Sequence, residues 1–319
     1  MTLLELLLVM VVMGIVMGIG VGTFASLDPG RGSAVETVRG ALRSAVNAAR
    51  ARRAPAVVRV DQKAGTLLPR GLAVVGTWHF EEANLEGAFG VKGLGTDTRL
   101  TRGYLGQALE FPAGANARAE FDIQADPSFE FGEGFAIECM LAPESASSAH
   151  AVSVGNVLGL YVLASGAARV WFVSLNQSGE AVGQVVLDSE PGSLLPGRWT
   201  RVRAEYDRRK LSLWLDGVHA AELQVEERVA KVQAPLLLAG GQKPFVGRID
   251  ELVLSAWEEG ELRALPESVL LEPGVPEEIW FDAAGHLDQL AHPLPLELSL
   301  SFDNGRRERV RVSRWGTVE

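Results

Sequence analysis

Cysteine occurs once in 319 residues, which excludes a disulfide framework and any multi-cysteine metal centre. That residue, Cys139, lies in the apolar run 135–141, the setting of a buried, inert thiol. His79, His150, His219, His286 and His292 show no metal-ligand spacing. The chain lacks Gly-x-Ser-x-Gly, His-Glu-x-x-His and any phosphate-binding glycine loop. Lysine is scarce beside arginine, and the first 25 residues carry no basic side chain at all. Long polar tracts are missing too: 47% of residues are apolar and 22% charged, values that rule out whole-chain disorder and collagen-like repeats.

The length allows two or three domains. A net charge of −10 argues against a general nucleic-acid binder. The charge is unevenly spread. Residues 1–70 hold nine Arg or Lys against four acids, a net of +5, which leaves −15 for the remainder.

Residues 3–25 are almost wholly apolar, long enough for a helix to cross a bilayer, which takes about 20 residues. A secretory signal peptide starts with a basic region and has a shorter apolar core. Glu5 is the anomaly, because a carboxylate inside a membrane helix is costly and usually has a partner. The nearest positive charge is the α-amine of Met1 or of a neighbouring copy. Gly14, Gly18, Gly20 and Gly22 weaken the helix; the alternative reading is a small-residue packing face at the 14–18–22 spacing. Ser26–Gly32 then reads as a chain breaker. Ser33 to Glu36 reads as a capping box ahead of an amphipathic helix that Pro55 stops.

The segment Met1-Thr2-Leu3-Leu4-Glu5-Leu6-Leu7 resembles the mature start of a type IV pilin or type II secretion pseudopilin. That resemblance implies an N-methylated Met1 followed by Thr2, with Glu5 paired to the neighbour's N-terminus. It also implies a helix that can melt at Gly14–Gly22 when the filament forms. Phe281-Asp282-x-x-Gly285, the strand at 294–302, and the strand at 309–316 before Gly316-Thr317-Val318 resemble the C-terminal sheet of the GspH/FimT class of minor pilins.

From residue 56 the period falls to two. The clearest hairpin is 201–206 with 211–215, where Val202, Ala204 and Tyr206 share one face, as do Leu211, Leu213 and Leu215. Asp216-Gly217 marks a tight turn. Many short strands between turn residues over 72–258 predict an all-β sandwich. The ordered features 76–82, 103–111, 135–138, 198–202, 213–217 and 245–254 resemble a laminin-G-like or concanavalin-like jelly roll. Members of that family bind glycans or proteins, and some hold calcium. Asp250 is the candidate calcium ligand, although no dense oxygen-ligand loop accompanies it. A turn-capping role is the alternative.

The expected fold is therefore α+β: a hydrophobic transmembrane or filament-core helix at 1–25, and a hinge, amphipathic helix and first strands at 26–70. An inserted jelly roll follows at 71–260, and a C-terminal sheet at 261–319. The expected role is a structural filament subunit that waits in the inner membrane and then enters an extracellular or periplasm-spanning filament. Its partners are other such subunits and, through the insert, a surface glycan or protein. The alternative is a minor, tip or priming pseudopilin of a secretion or DNA-uptake machine.

Enzymatic chemistry is not expected. Glu120-Phe121-Asp122-Ile123-Gln124 begins like a glycosidase strand, but Gln stands where the last acid is required. No cofactor is implied beyond a structural calcium ion. Arg306, Arg307, Arg309 and Arg311 form a basic cluster able to track phosphates, with edge-strand protection as the plain alternative. The acidic head argues against DNA as its ligand. Trp78, Trp171, Trp199, Trp214 and Trp257 are the aromatics that would mark a binding surface.

Overall fold

The computed structural model describes residues 29–319 except 83, 84, 89, 115, 125, 146 and 177. In chain order the elements are α1 (Pro29–Arg52), β1 (Ala56–Asp61), β2 (Thr66–Trp78), β3 (Gly93–Thr96), β4 (Arg99–Arg102), β5 (Gln107–Phe111) and β6 (Arg118–Phe121). A 3-10 turn (Pro127–Phe129) precedes β7 (Phe135–Pro143), β8 (Ala149–Val154), β9 (Leu158–Val162), β10 (Ala168–Leu175) and β11 (Ala181–Asp188). Next come β12 (Thr200–Tyr206), β13 (Lys210–Leu215), β14 (Val218–Gln224), β15 (Arg228–Val229), β16 (Leu236–Leu238) and β17 (Gly247–Glu259). The chain closes with β18 (Arg263–Ala264), β19 (Val269–Leu271), β20 (Glu278–Phe281), β21 (Leu296–Phe302) and β22 (Arg307–Val312).

This corrects the expected α+β fold with a membrane-type helix broken near 26–32. The described residues are mostly β, with a single α-helix. Pro29 opens α1 because a first-turn position needs no N–H and suits its fixed φ, so Gly30, Arg31 and Gly32 continue the helix. Ser33 is thus inside the helix and not its cap; its carbonyl accepts a hydrogen bond from the Thr37 hydroxyl. Among the described residues no helix is long and apolar enough to cross a membrane. For α1 the reason is visible in its sequence, which carries Glu36, Arg39, Arg43, Arg50 and Arg52. The expected single-pass inner-membrane location is corrected on the same ground. The span at 1–25, with Met1, Thr2, Glu5, Gly14, Gly18, Gly20 and Gly22, lies outside the described residues.

The chain divides into two compact units, one formed by Met1–Gly71 with Glu259–Glu319 and the other by Leu72–Glu258. In the first, α1 carries Ala34, Val38, Ala41, Leu42, Ala45 and Ala49 on one stripe, the 3.6-residue spacing of a helix with one apolar face. They share a core with Val58 and Phe281 of a β18-β2-β1-β20 sheet and with Leu298 and Val310 of the β19-β21-β22 sheet. Gly305, at φ 74°, closes the β21–β22 hairpin.

The second unit is a sandwich of two antiparallel sheets. One runs β14-β13-β12-β7-β17-β5-β4, the other β11-β10-β9-β8-β16-β6-β3, with β15 beside β10. Strict alternation drives one face of each strand inward. Val202, Ala204 and Tyr206 of β12 and Leu211 and Leu213 of β13 are all buried, in the register Val202↔Leu215 to Tyr206↔Leu211. Asp216 and Gly217, at φ 51° and 80°, make the two-residue turn into β14.

Candidate functional site

The five tryptophans of the sandwich separate by environment. Trp78 is in the core, and Trp257 is buried with its indole N–H donated to the Tyr206 carbonyl (3.4 Å). Trp171 is buried beside His150, whose ring meets Tyr161 edge-on at 4.6 Å. Burial lowers the His150 pKa, favouring its neutral form. Next to them Arg169 is spent on a two-bond pair with Asp188 (2.6 and 2.8 Å). Trp214 is half-buried against His219. Trp199 is different. It is half-buried, meets the exposed Tyr104 ring nearly edge-on at 6.5 Å, and carries the Arg248 guanidinium over its face at 5.0 Å from the ring centre.

Three strand registers bring this corner together. Arg248 of β17 lies opposite Ala142 of β7 and Glu110 of β5. Thr200 pairs with Leu141, so Trp199 enters β12 beside Ala142. The buried, small Ala142 side chain leaves room for Arg248 to cross the sheet surface toward the indole. Tyr104 stands with exposed Leu105 at the tip of the β4–β5 hairpin.

That hairpin tip is held from beneath by two carboxylates. Asp250 is fully buried, and its Oδ2 accepts the backbone N–H groups of Tyr104 (2.9 Å) and Leu105 (3.1 Å). Its Oδ1 accepts from the N–H of Glu251 (2.8 Å). Burial raises the Asp250 pKa, while its three N–H partners pull the other way. Glu81 accepts the Gln107 N–H, and its carbonyl accepts from the Gln107 side-chain amide (2.9 Å). Glycine is required at 103, where a Cβ would come within 2.6 Å of Asp250 Oδ2, and at 106, where φ is 61°. The register of β17 on β7 shifts between Asp250 and Val253, and Glu251 adopts φ 51°. This bulge turns the Asp250 carboxylate toward the hairpin and lets Glu251 reach His79 Nδ1 (2.8 Å).

Asp250, the candidate calcium ligand, is therefore placed where both its oxygens are taken by backbone donors. Among the described residues no group of three or more His, Cys, Asp or Glu side chains has metal-holding geometry. In the C-terminal cluster Arg307 pairs with Glu272 (2.7 Å), and Arg309 and Arg311 both pair with Glu297 (3.5 and 2.6 Å). Arg306 lies exposed in the turn before β22. Glu120 and Asp122 point outward, in and just after β6, and so does Gln124. Sequence reasoning named Trp199 but passed over Tyr104, Leu105, Glu81 and Arg248. The glycines bracketing Tyr104-Leu105 were the available signal for a displayed turn.

Beside the corner the sheet face carries a charge network. Glu138 receives Arg203 (3.0 Å) and Arg201 (3.8 Å), and Arg203 also holds Glu205 (2.8 Å). Desolvation raises the Glu205 pKa despite that arginine. As pH climbs above about 4.3, the unfolded chain gives up this proton before the folded one does, so this group's contribution to stability falls. Relative to wild type, Glu205→Gln is expected to gain in Tm as pH rises from about 4 to about 7. A constant Tm difference across that range would refute the assignment.

Residues 116–256 match a family model described as the concanavalin A-like lectin/glucanases superfamily. No curated protein matches the chain. Among solved structures, domain 4 of AbnA, a GH43 extracellular arabinanase from Geobacillus stearothermophilus, in complex with arabinotriose, is 15% identical. The TM-score is 0.45, over 58% of this chain and 93% of that one. The binding domain of botulinum neurotoxin DC in complex with SialylT is 6% identical, with a TM-score of 0.43 over 57% of this chain and 47% of that one. The Ruminococcus gnavus IT-sialidase CBM40 bound to α2,3-sialyllactose is 17% identical, with a TM-score of 0.35 over 46% of this chain and 88% of that one. The chain thus spans about half the length of the toxin binding domain.

Proposed function

We propose that the sandwich is a carbohydrate-binding module spanning about 71–260, and that the Tyr104–Trp199–Arg248 corner is its sugar-contacting face. The observation that carries this is the exposed Tyr104, on a hairpin whose backbone is pinned by buried Asp250, set nearly edge-on to the half-buried Trp199 and its overlying guanidinium. A pyranose has an apolar C–H face and a rim of hydroxyls. An aromatic ring covers the first, and an adjacent multi-donor side chain serves the second. Rigid support removes the ordering cost that a free loop would impose on binding. The family match over 116–256 supports a lectin-type role. Trp199→Ala is expected to weaken binding to the best glycan of a broad array by at least roughly tenfold while leaving the Tm within a few degrees. Unchanged glycan affinity in that variant would remove the corner from consideration.

A second reading, a filament subunit that displays the module, draws on Met1–Leu7, which lies outside the described residues. In it the module would be the single excursion Leu72–Glu258 from a unit that resumes at Glu259. In that reading Glu5 neutralises the neighbour's N-terminal amine within an apolar bundle, where an unpaired charge is expensive. Glu5→Ala should then deplete the protein from sheared filaments in an immunoblot while its glycan binding persists. Filaments retaining normal amounts of the variant would end this reading.

A further inference from the structure

The next step rests on the carbohydrate reading of the corner and names the class of sugar. The arginines on this side of the sheet differ in what they hold. Arg201 and Arg203 share Glu138, Arg203 also takes Glu205, and Arg198 pairs with Asp216 at 3.4 Å. Arg248 makes no ion pair among the described residues. Its one side-chain hydrogen bond there is a long contact from Nη1 to the Arg102 carbonyl (3.4 Å). Its place over the Trp199 ring, with the guanidinium carbon 5.0 Å from the ring centre, is a cation–π contact that consumes no N–H donor. Glu110 lies in register between Arg248 and Arg99, so this row of two arginines and one glutamate keeps a net charge of +1 on a chain whose total is −10.

We infer that the corner selects sugars bearing a carboxylate, with the pyranose face on the exposed Tyr104 ring, Trp199 beside it, and the carboxylate on the N–H groups of Arg248. A pre-oriented guanidinium matches a carboxylate with two parallel N–H···O bonds, a geometry that a hydroxyl cannot reproduce. The occupant is an acidic oligosaccharide and not a nucleic acid. DNA carries one charge per about 1.7 Å of axis, and the strongly acidic chain opposes so dense a polyanion. One half-buried guanidinium without an ion pair among the described residues suits one carboxylate.

The test uses the full chain and titrates trigalacturonate, a hyaluronan tetrasaccharide and sialyllactose, each beside its methyl ester. At least one acid is expected to bind roughly 10- to 100-fold more tightly than its ester, the worth of a charge-assisted hydrogen bond. Arg248→Gln should erase that preference, and Arg248→Lys should restore only part of it, because an ammonium is a point charge without the fork. Acid and ester binding alike, with Trp199→Ala abolishing both, would overturn this inference while keeping the carbohydrate reading. An acid preference that survives Arg248→Gln would overturn it as well, as would an equally tight, Arg248-dependent complex with a single-stranded oligonucleotide. Failure to bind any of the acids or esters, together with a silent glycan array, would sink both readings at once.

Discussion

Phe172→Ala is expected to cost about 3–5 kcal/mol, the range for emptying a fully buried phenylalanine site. Phe172 belongs to β10, in one sheet of the sandwich, and is completely buried. Its ring stacks on Tyr206 of β12 at 4.6 Å and meets Phe135 of β7 edge-on at 6.0 Å, so three rings lock the two sheets together. The Tyr206 hydroxyl in turn donates to the carbonyls of Val225 (3.3 Å) and Glu227, tying the stretch between β14 and β15 to the same point. Burial pushes the Tyr206 pKa up, so the hydroxyl stays a donor throughout the neutral range. The cavity left by alanine removes ring contacts on both sides, and rigid strands cannot collapse to fill it. Urea denaturation followed by tryptophan fluorescence should show a lower midpoint with an unchanged slope. A shift worth less than about 1 kcal/mol would mean that the trio is not the clamp between the sheets.

The sandwich was legible because its strands alternate. In β12 and β13 the inward set Val202, Ala204, Tyr206, Leu211 and Leu213 is visible in sequence, and Asp216-Gly217 marks the turn that follows. The apolar stripe of α1 was equally plain, but its start was not. Pro29 and the two nearby glycines look like a breaker until the tolerance of a helix's first turn for proline is considered. The corner was hidden for a different reason. Asp250 could be noticed as an acid in a strand, but its partners are backbone amides 145 and 146 residues away, which have no sequence signature. Trp199 and Arg248 meet only because β7 separates β12 from β17 and contributes a small residue at 142. Neighbour order within a sheet is a long-range property that local periodicity does not encode.

Asp250→Ala is expected to destabilise the sandwich by about 1–3 kcal/mol and to abolish recognition at the corner. The carboxylate accepts three backbone N–H bonds and is wholly buried. Alanine leaves the Tyr104, Leu105 and Glu251 amides without an acceptor. The first two are at a surface turn and can regain water by letting the hairpin tip move. Part of the lost energy is recovered in this way, but Tyr104 then leaves its place against Trp199. Stability and binding therefore separate: the fold loses a modest fraction of its free energy, while the aromatic corner loses its geometry. Asp250→Asn keeps one acceptor oxygen and should recover part of both losses. Amide exchange is the decisive measurement. The Tyr104 and Leu105 amides should be protected in wild type, partly protected in Asp250→Asn and fast in Asp250→Ala. Glycan affinity should fall in the same order. If Asp250→Ala bound glycan as well as wild type while those two amides exchanged freely, the pinned hairpin would be irrelevant to recognition, and the sugar would have to contact the sandwich elsewhere.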